Sequence, residues 1–308
     1  MQLLVLGAGG TGGYFGGRLA HAGVDVQFLV RPSRAKTLAE RGLVVKSPLG
    51  DVRVPARTLT EVHTTCDAVL LACKAYDLEE AMETIAPAIG PSTLILPLLN
   101  GVRHLDLLDA RFGRERVLGG LCHIGVTVNA EGNIEHLNTL QRFVLGARTA
   151  GQADATTALH EVVVRGGFAP ILSQDIMQEM WEKFAFLATY AGMTTLMRAS
   201  IGAIVSTDEG EAITREMLQE CMETAAANGH APRPAAKRQM ETLLTEPGSA
   251  GTASMLRDIS RNGRTEHEHI LGDMLSRARA AGVRAPLLRL SLAHMQAYAA
   301  TRLGTSAF

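Results

Sequence analysis

The first 30 residues constrain the fold most. An apolar run, Leu3–Leu6, leads into Gly7-Ala8-Gly9-Gly10-Thr11-Gly12, then an alanine-rich helical stretch to about Ala22 and a second apolar run over Val24–Val30. A short, uncharged first strand is what a parallel strand buried on both faces requires, and strand, helix and strand in this order make a βαβ unit. The Gly-x-Gly-x-x-Gly spacing then has a definite use. Gly7 permits the tight turn, Gly9 lets the backbone approach a pyrophosphate, and Gly12 lets helix and strand pack closely, with the helix N-terminus facing the phosphates. The bare spacing also occurs in glycine-rich turns that hold nothing; its place at the head of a βαβ unit is what points to a dinucleotide. The second strand ends at Val30-Arg31, where an NAD site usually offers a carboxylate to the ribose. Arg31, aided by Arg34, suits a 2′-phosphate instead, so NADP(H) is the expected cofactor, although a solvated arginine after a strand would read the same way.

The alternation continues. Ser33 is expected to cap a helix over Arg34–Arg41, Val44–Val54 to form a hairpin turning at Pro48–Asp51, and Ala68–Cys73 to be another buried strand. Asp77 with Glu80 fits a capping box for a helix to about Ala86, and Ser92–Pro97 a further strand. From about Ala153 the pattern changes to one more helix, a short strand near Ala169–Leu172, and then helical stretches alone. Asp175–Met197 is apolar nearly all round, the mark of a central buried helix, and Asp208–Asn228, Arg233–Leu244, Thr265–Ala281 and Pro286–Arg302 follow it. The fold class expected is therefore α/β, with an N-terminal Rossmann-type dinucleotide-binding domain over residues 1–172 and a C-terminal all-helical substrate and catalytic domain over residues 173–308.

The chain has 308 residues, 46% hydrophobic and 20% charged, with 30 basic against 31 acidic side chains. Neither disorder nor a general attraction to nucleic acid or anionic membrane follows from that balance, so an anionic ligand must be held by local charge. No run approaches the roughly 18 apolar residues of a membrane span, and the N-terminus enters the first strand directly. Cys66, Cys73, Cys122 and Cys221 contain no C-x-x-C pair. A cytoplasmic protein is expected, with a small molecule as its partner. The apolar helical half is compatible with a homodimer, and a buried core would look the same.

Further motifs are Cys73-Lys74-Ala75-Tyr76-Asp77 after one buried strand, Leu99-Asn100-Gly101-Val102 after the next, Trp181-Glu182-Lys183 early in the central helix, and Ser254-Met255-Leu256-Arg257-Asp258 before Gly263-Arg264-Thr265-Glu266. In order and spacing these resemble the ketopantoate reductase family, the 2-dehydropantoate 2-reductases, across essentially the whole chain. The resemblance implies NADPH-dependent reduction of the 2-oxo group of 2-dehydropantoate to pantoate, a step towards pantothenate. It implies Lys183 as the catalytic lysine and proton donor, Glu266 as the acidic residue beside it, and Ser254 at the substrate carboxylate. It also places Lys74 and Asn100 near the nicotinamide and the substrate. The chemistry agrees, since hydride addition to a ketone creates an alkoxide that needs a nearby cation or proton donor. Read alone, Lys183 is equally a lysine snorkelling from a helix and Glu266 a glutamate on a solvated face.

The departures bear on the substrate. Where that family places asparagines, this sequence has Leu187, Ala191 and Ile201, which suit a less hydroxylated 2-oxo acid. Thr194, Thr195 and Arg198 are the remaining polar candidates. A redox sensor that binds NADP without turnover is a third reading, against which the pair Lys183 and Glu266 stands. No metal is expected: His267 and His269 are two residues apart and point to different helix faces. Met177, Met180, Met193 and Met197 read as core filler.

Overall fold

The computed structural model describes residues 1–303, so residues 304–308 of the expected second domain lie outside the described residues. Two compact units divide the chain: Met1–Asn100 with His104–Ile176, and Gly101–Arg103 with the chain from Met177 onward.

The first unit contains β1 (Gln2–Leu6), α1 (Gly10–His21), β2 (Asp25–Leu29), α2 (Pro32–Arg41), β3 (Leu43–Lys46), β4 (Val52–Val54), β5 (Thr58–Leu59), β6 (Ala68–Leu71), α3 (Leu78–Ile85), β7 (Leu94–Pro97), α4 (Arg103–Phe112), β8 (Gly119–Val128), β9 (Ile134–Gly146), α5 (Ala153–Val164) and β10 (Ile171–Leu172). Five strands form a parallel sheet in the order β5-β2-β1-β6-β7, the Rossmann-type arrangement expected. Leu6 pairs with Leu29 on one side and with Leu71 on the other, so three strands end level with one another. Strand order reverses at β1, and open α/β sheets take their ligands outside the strand ends at such a point.

A second sheet was not anticipated. It runs β10-β9-β3-β4, with β8 antiparallel to β9, and includes the expected β3–β4 hairpin. The α1 helix touches strands of both sheets. That position explains why Gly12, Gly13, Tyr14, Phe15, Gly16 and Gly17 are buried in succession, on every face of the helix. Phe15 meets Phe143 and Phe168 edge-on, each at 4.9 Å between ring centroids, and this aromatic cluster joins α1 to the second sheet. Each fully buried ring stabilises the unit by about 1.5–3 kcal/mol.

Two expected helix caps are corrected. The α2 helix starts at Pro32, a residue favoured at the first helical position because its missing N–H would have no intrahelical acceptor there, and Arg31 is its N-cap; Ser33 lies inside the helix and does not cap it. Asp77 and Glu80 form no capping box, because a 3₁₀ turn, Ala75–Asp77, runs directly into α3. Their carboxylates turn to Arg31 instead.

The second unit is helical: α6 (Ile176–Met197), α7 (Ile201–Val205), α8 (Gly210–Ala227), α9 (Pro234–Leu244), α10 (Ser254–Ser260), α11 (Asp273–Ala280) and α12 (Pro286–Leu303). Before α11 the chain makes a π-helical segment, Glu268–Gly272, so Thr265 and Glu266 stand ahead of the helix rather than within it as expected. The N-terminus of α12 is closed by Glu220, whose two carboxylate oxygens accept from the Leu287 and Leu288 amides at 3.0 and 2.9 Å. Of the four methionines read as filler, Met180 and Met193 are core, Met177 is half-buried and Met197 is exposed. No described helix is long and apolar enough to cross a membrane.

Candidate functional site

Gly7 follows the last residue of β1 and has φ +91°, a conformation that costs an L side chain energy but glycine nothing. A Cβ on Gly12 would come 2.1 Å from the Gly7 carbonyl oxygen, so the third glycine is required by contact between the turn and α1. Gly9 differs from both. A Cβ there would meet nothing within 4 Å, and the first turn of α1 that follows carries no acidic side chain. The turn therefore offers an open glycine beside a helix N-terminus whose first amides have no intrahelical acceptor, which is the geometry that receives a phosphate.

A cleft of about 580 Å³ opens at this turn. Its lining includes Gly7 and Gly9 from the turn, Arg31 and Arg34 after β2, and Cys73, Lys74, Asp77 and Glu80 after β6. The structure thus brings Gly7, Gly9, Arg31 and Lys74 together from three separate strand ends. Gly12 lies beneath the turn and Asn100 follows β7; neither belongs to the lining. Asp77 and Glu80, read from the sequence as a helix cap, were missed as members of this cleft.

The two arginines stand differently. Arg31 is exposed, with Nη2 3.5 Å from Asp77 Oδ2 and 3.2 Å from Glu80 Oε2. Arg34 is half-buried; its Nε donates to the Ala8 carbonyl at 3.1 Å and its Nη1 to the Gly132 carbonyl at 2.8 Å. Burial pushes its pKa below the ordinary arginine value, which still leaves a cation at neutral pH. Arg34 therefore ties the glycine turn to the turn between β8 and β9, while Arg31 is held only by surface carboxylates. Arg31, Arg34 and Lys74 line the cleft around the glycine turn, and two carboxylates, Asp77 and Glu80, compete for Arg31.

In the second unit, Lys183, Ser254 and Glu266 are all half-buried. Lys183 lies on α6, Ser254 opens α10, and Glu266 stands just ahead of the π-helical segment. Such segments recur at functional sites, where they displace one turn of a helix without ending it. Of the three positions where asparagines were expected, Leu187 is half-buried, whereas Ala191 and Ile201 are 1% and 0% exposed. The polar candidates on α6 and just past its end are already engaged. Thr194 and Thr195 donate to the Tyr190 and Ala191 carbonyls at 2.7 and 2.6 Å, and Arg198 is exposed and directed to His294.

Next to the lysine, Glu182 accepts from the Arg233 amide at 2.9 Å and from its guanidinium at 2.8 and 2.6 Å, with Gln178 adding a further bond at 3.1 Å. Burial alone would raise the Glu182 pKa; the bonds from Arg233 and Gln178 outweigh it and hold the carboxyl below its ordinary value. The residue preceding Lys183 is thus fixed against the start of α9.

A parallel sheet of this order, a glycine turn at its point of reversal and a separate helical unit define the class: an α/β protein with a Rossmann-type N-terminal unit. The chain belongs to the ketopantoate reductase PanE/ApbA family, whose profile matches residues 3–150 and whose C-terminal profile matches residues 175–299. It is 35% identical over 303 residues to the uncharacterised oxidoreductase YkpB of Bacillus subtilis, covering 98% of this chain and 100% of that one. Identity to the 2-dehydropantoate 2-reductase of Mesorhizobium japonicum is 27% over 286 residues, covering 85% of this chain and 86% of the relative. Among solved structures, a PanE/ApbA family ketopantoate reductase from Ralstonia eutropha shares the fold with a TM-score of 0.89 at 23% identity, covering 98% of this chain and all of that one. D-mandelate dehydrogenase, solved with NADH and anilino(oxo)acetate, shares it with a TM-score of 0.88 at 21% identity, covering 98% of this chain and 99% of that one.

Proposed function

We propose that this protein is a cytoplasmic, NADPH-dependent reductase of a 2-oxo acid, catalysing the type of reaction that turns 2-dehydropantoate into pantoate for pantothenate synthesis. When bound, a reduced nicotinamide cofactor would supply the hydride that C2 of the acid receives. The residues of the chain do the rest. The Lys183 ammonium gives a proton to the carbonyl oxygen as negative charge develops on it, Glu266 orients that ammonium, and Ser254 receives the substrate carboxylate. Lys74 and Asn100 serve the nicotinamide end of the cofactor and the substrate; Gly7, Gly9 and Gly12 shape the pyrophosphate turn, and Arg31 takes the 2′-phosphate.

The observation that carries the reading is the convergence of Gly7, Gly9, Arg31 and Lys74 on one cleft of about 580 Å³ at the strand ends. Family membership supports the reaction type, and the names of several relatives support 2-dehydropantoate as the first acid to try. The test is oxidation of NADPH, followed by absorbance, across a panel of 2-oxo acids that includes 2-dehydropantoate. Turnover with any of them sustains the reading. Tight NADPH binding without oxidation by every member would make the protein a sensor and overturn it.

A further inference from the structure

Through its middle, α6 has one open stripe. Phe184, Ala185, Ala188, Thr189, Ala191 and Met193 are buried, whereas Lys183, Phe186, Leu187 and Tyr190 are half-buried. At 3.6 residues per turn these four fall within roughly a 100° sector of the helix. The stripe begins with a cation and continues as an apolar surface. Phe186 and Tyr190 stack with their rings 5.4 Å apart and 18° from parallel. Leu187 lies beside them, and because helical side chains lean towards the N-terminus, Phe186 and Leu187 cover the turn directly after Lys183.

Polar groups that could receive a substrate hydroxyl on this face are few. Thr194, which lies on this face, donates to its own helix, to the Tyr190 carbonyl. The Tyr190 hydroxyl stands at the far end of the stripe, where a Cβ on Gly251 would come within 2.8 Å of it.

We propose that the carbon chain of the 2-oxo acid, beyond its carbonyl, lies on the Phe186–Leu187–Tyr190 surface, and that this protein selects acids whose chain is branched or aromatic and carries no hydroxyl. The inference rests on the reading of the protein as a 2-oxo acid reductase with Lys183 at the carbonyl oxygen. A hydroxyl laid on Leu187 and the Phe186 ring gives up its water without gaining a partner. An apolar pocket discriminates against an added hydroxyl by about 100-fold.

Two acids that differ by a single hydroxyl provide the test: 2-dehydropantoate and its deoxy counterpart, 3,3-dimethyl-2-oxobutanoate. The expected result is a kcat/KM for the deoxy acid about 10- to 100-fold higher, with phenylglyoxylate also reduced. Equal or higher kcat/KM for 2-dehydropantoate would overturn the assignment of this surface while leaving the reductase reading intact. No reduction of any of the three acids, or of others in the panel, would remove the reductase reading and this inference with it. Leu187→Asn, which places an amide in the middle of the stripe, should narrow the ratio by raising kcat/KM for the hydroxylated acid. Leu187→Met keeps the surface apolar and should leave the ratio in place. An unchanged ratio in a Leu187→Asn protein that melts normally and binds NADPH would also count against the proposal, and if that variant does not fold, the wild-type comparison still decides.

Discussion

Arg31 reaches Glu80 across the lining of the cleft at the glycine turn, Nη2 to Oε2 at 3.2 Å, although the two residues are 49 apart in sequence. Both side chains are about two-thirds exposed, at 67% and 69%. A pair in that setting contributes about 0.2–1 kcal/mol, or up to about fivefold in an equilibrium. Glu80→Gln should therefore leave Arg31 only its longer contact with Asp77 and tighten NADPH by up to about fivefold, leaving NADH almost unaffected. Arg31→Ala should weaken NADPH much more than NADH. Fluorescence titration of both cofactors reads these effects, and equal losses for the two in Arg31→Ala would take Arg31 away from the 2′-phosphate.

Arg34 should behave differently from its neighbour. Its bonds go to the Ala8 and Gly132 carbonyls, and a bond from a charged donor contributes about 1.5–3 kcal/mol. Arg34→Ala is expected to lower Tm and to weaken NADPH and NADH alike, because the glycine turn loses its tie to the second sheet. Thermal melts alongside the same titrations check it. A loss confined to NADPH would show that Arg34 binds phosphate instead.

The glycines of the turn separate stability from binding. Gly12→Ala forces a Cβ to 2.1 Å from the Gly7 oxygen, an overpacking that costs about 1–3 kcal/mol or more. Gly9→Ala has open space around it and an ordinary negative φ of −85°. It should melt within about a degree of wild type yet bind either dinucleotide at least about tenfold more weakly, since its methyl occupies the approach of the pyrophosphate. Calorimetry with and without NADPH distinguishes the two variants, and normal binding by Gly9→Ala would move the pyrophosphate elsewhere.

Lys183→Ala should reduce kcat by about 10²- to 10⁴-fold, the usual contribution of general acid catalysis, and change KM less. Glu266→Ala should cost less if the carboxylate orients the lysine. Steady-state kinetics with the best substrate of the panel measures both. A near-normal kcat in Lys183→Ala, with NADPH binding retained, would pass the proton-donor role to Lys74.

Acid should loosen the second unit through Glu182. Because its pKa in the folded protein lies below the ordinary value of 4.5, the unfolded chain takes up a proton first as pH falls. The contribution of this group is complete above about pH 5 and is lost as pH drops through the lowered folded pKa. Glu182→Gln should be less stable than wild type at pH 7, and the difference should shrink towards pH 3. Denaturant unfolding across that range gives the comparison; a constant difference would assign the effect to packing.

The β1 strand, the glycine turn and α1 were legible because everything that specifies them is consecutive. The run Leu3–Leu6, three glycines at fixed spacing and a helical stretch set their own backbone geometry. The long α6 was legible for a related reason: an apolar composition on all sides needs no knowledge of its neighbours. The β8–β9 pair was not legible. Its strands carry glycines that local propensity reads as weak strand formers, and they are there because Cβ atoms on Gly119 and Gly120 would come 2.6 Å from Ile176 and 2.5 Å from the Pro97 carbonyl oxygen. Nothing near residue 119 in the chain announces either contact.

The side-chain chemistry divides in the same way. Residue types and spacing were enough to nominate Gly9 and Arg31, because a phosphate needs amides and cations, whereas Lys74 and Lys183 were nominated by the resemblance of their motifs to the ketopantoate reductases. Only the tertiary structure separated the two arginines, binding Arg34 to carbonyls 26 and 98 residues away and leaving Arg31 to Asp77 and Glu80. It alone showed that Ala191 and Ile201 are sealed in the core while Phe186, Leu187 and Tyr190 remain open. Backbone conformation is decided largely between chain neighbours, so sequence determines it directly. Burial and pairing are decided by whichever distant segment packs alongside, and that depends on how the whole chain closes.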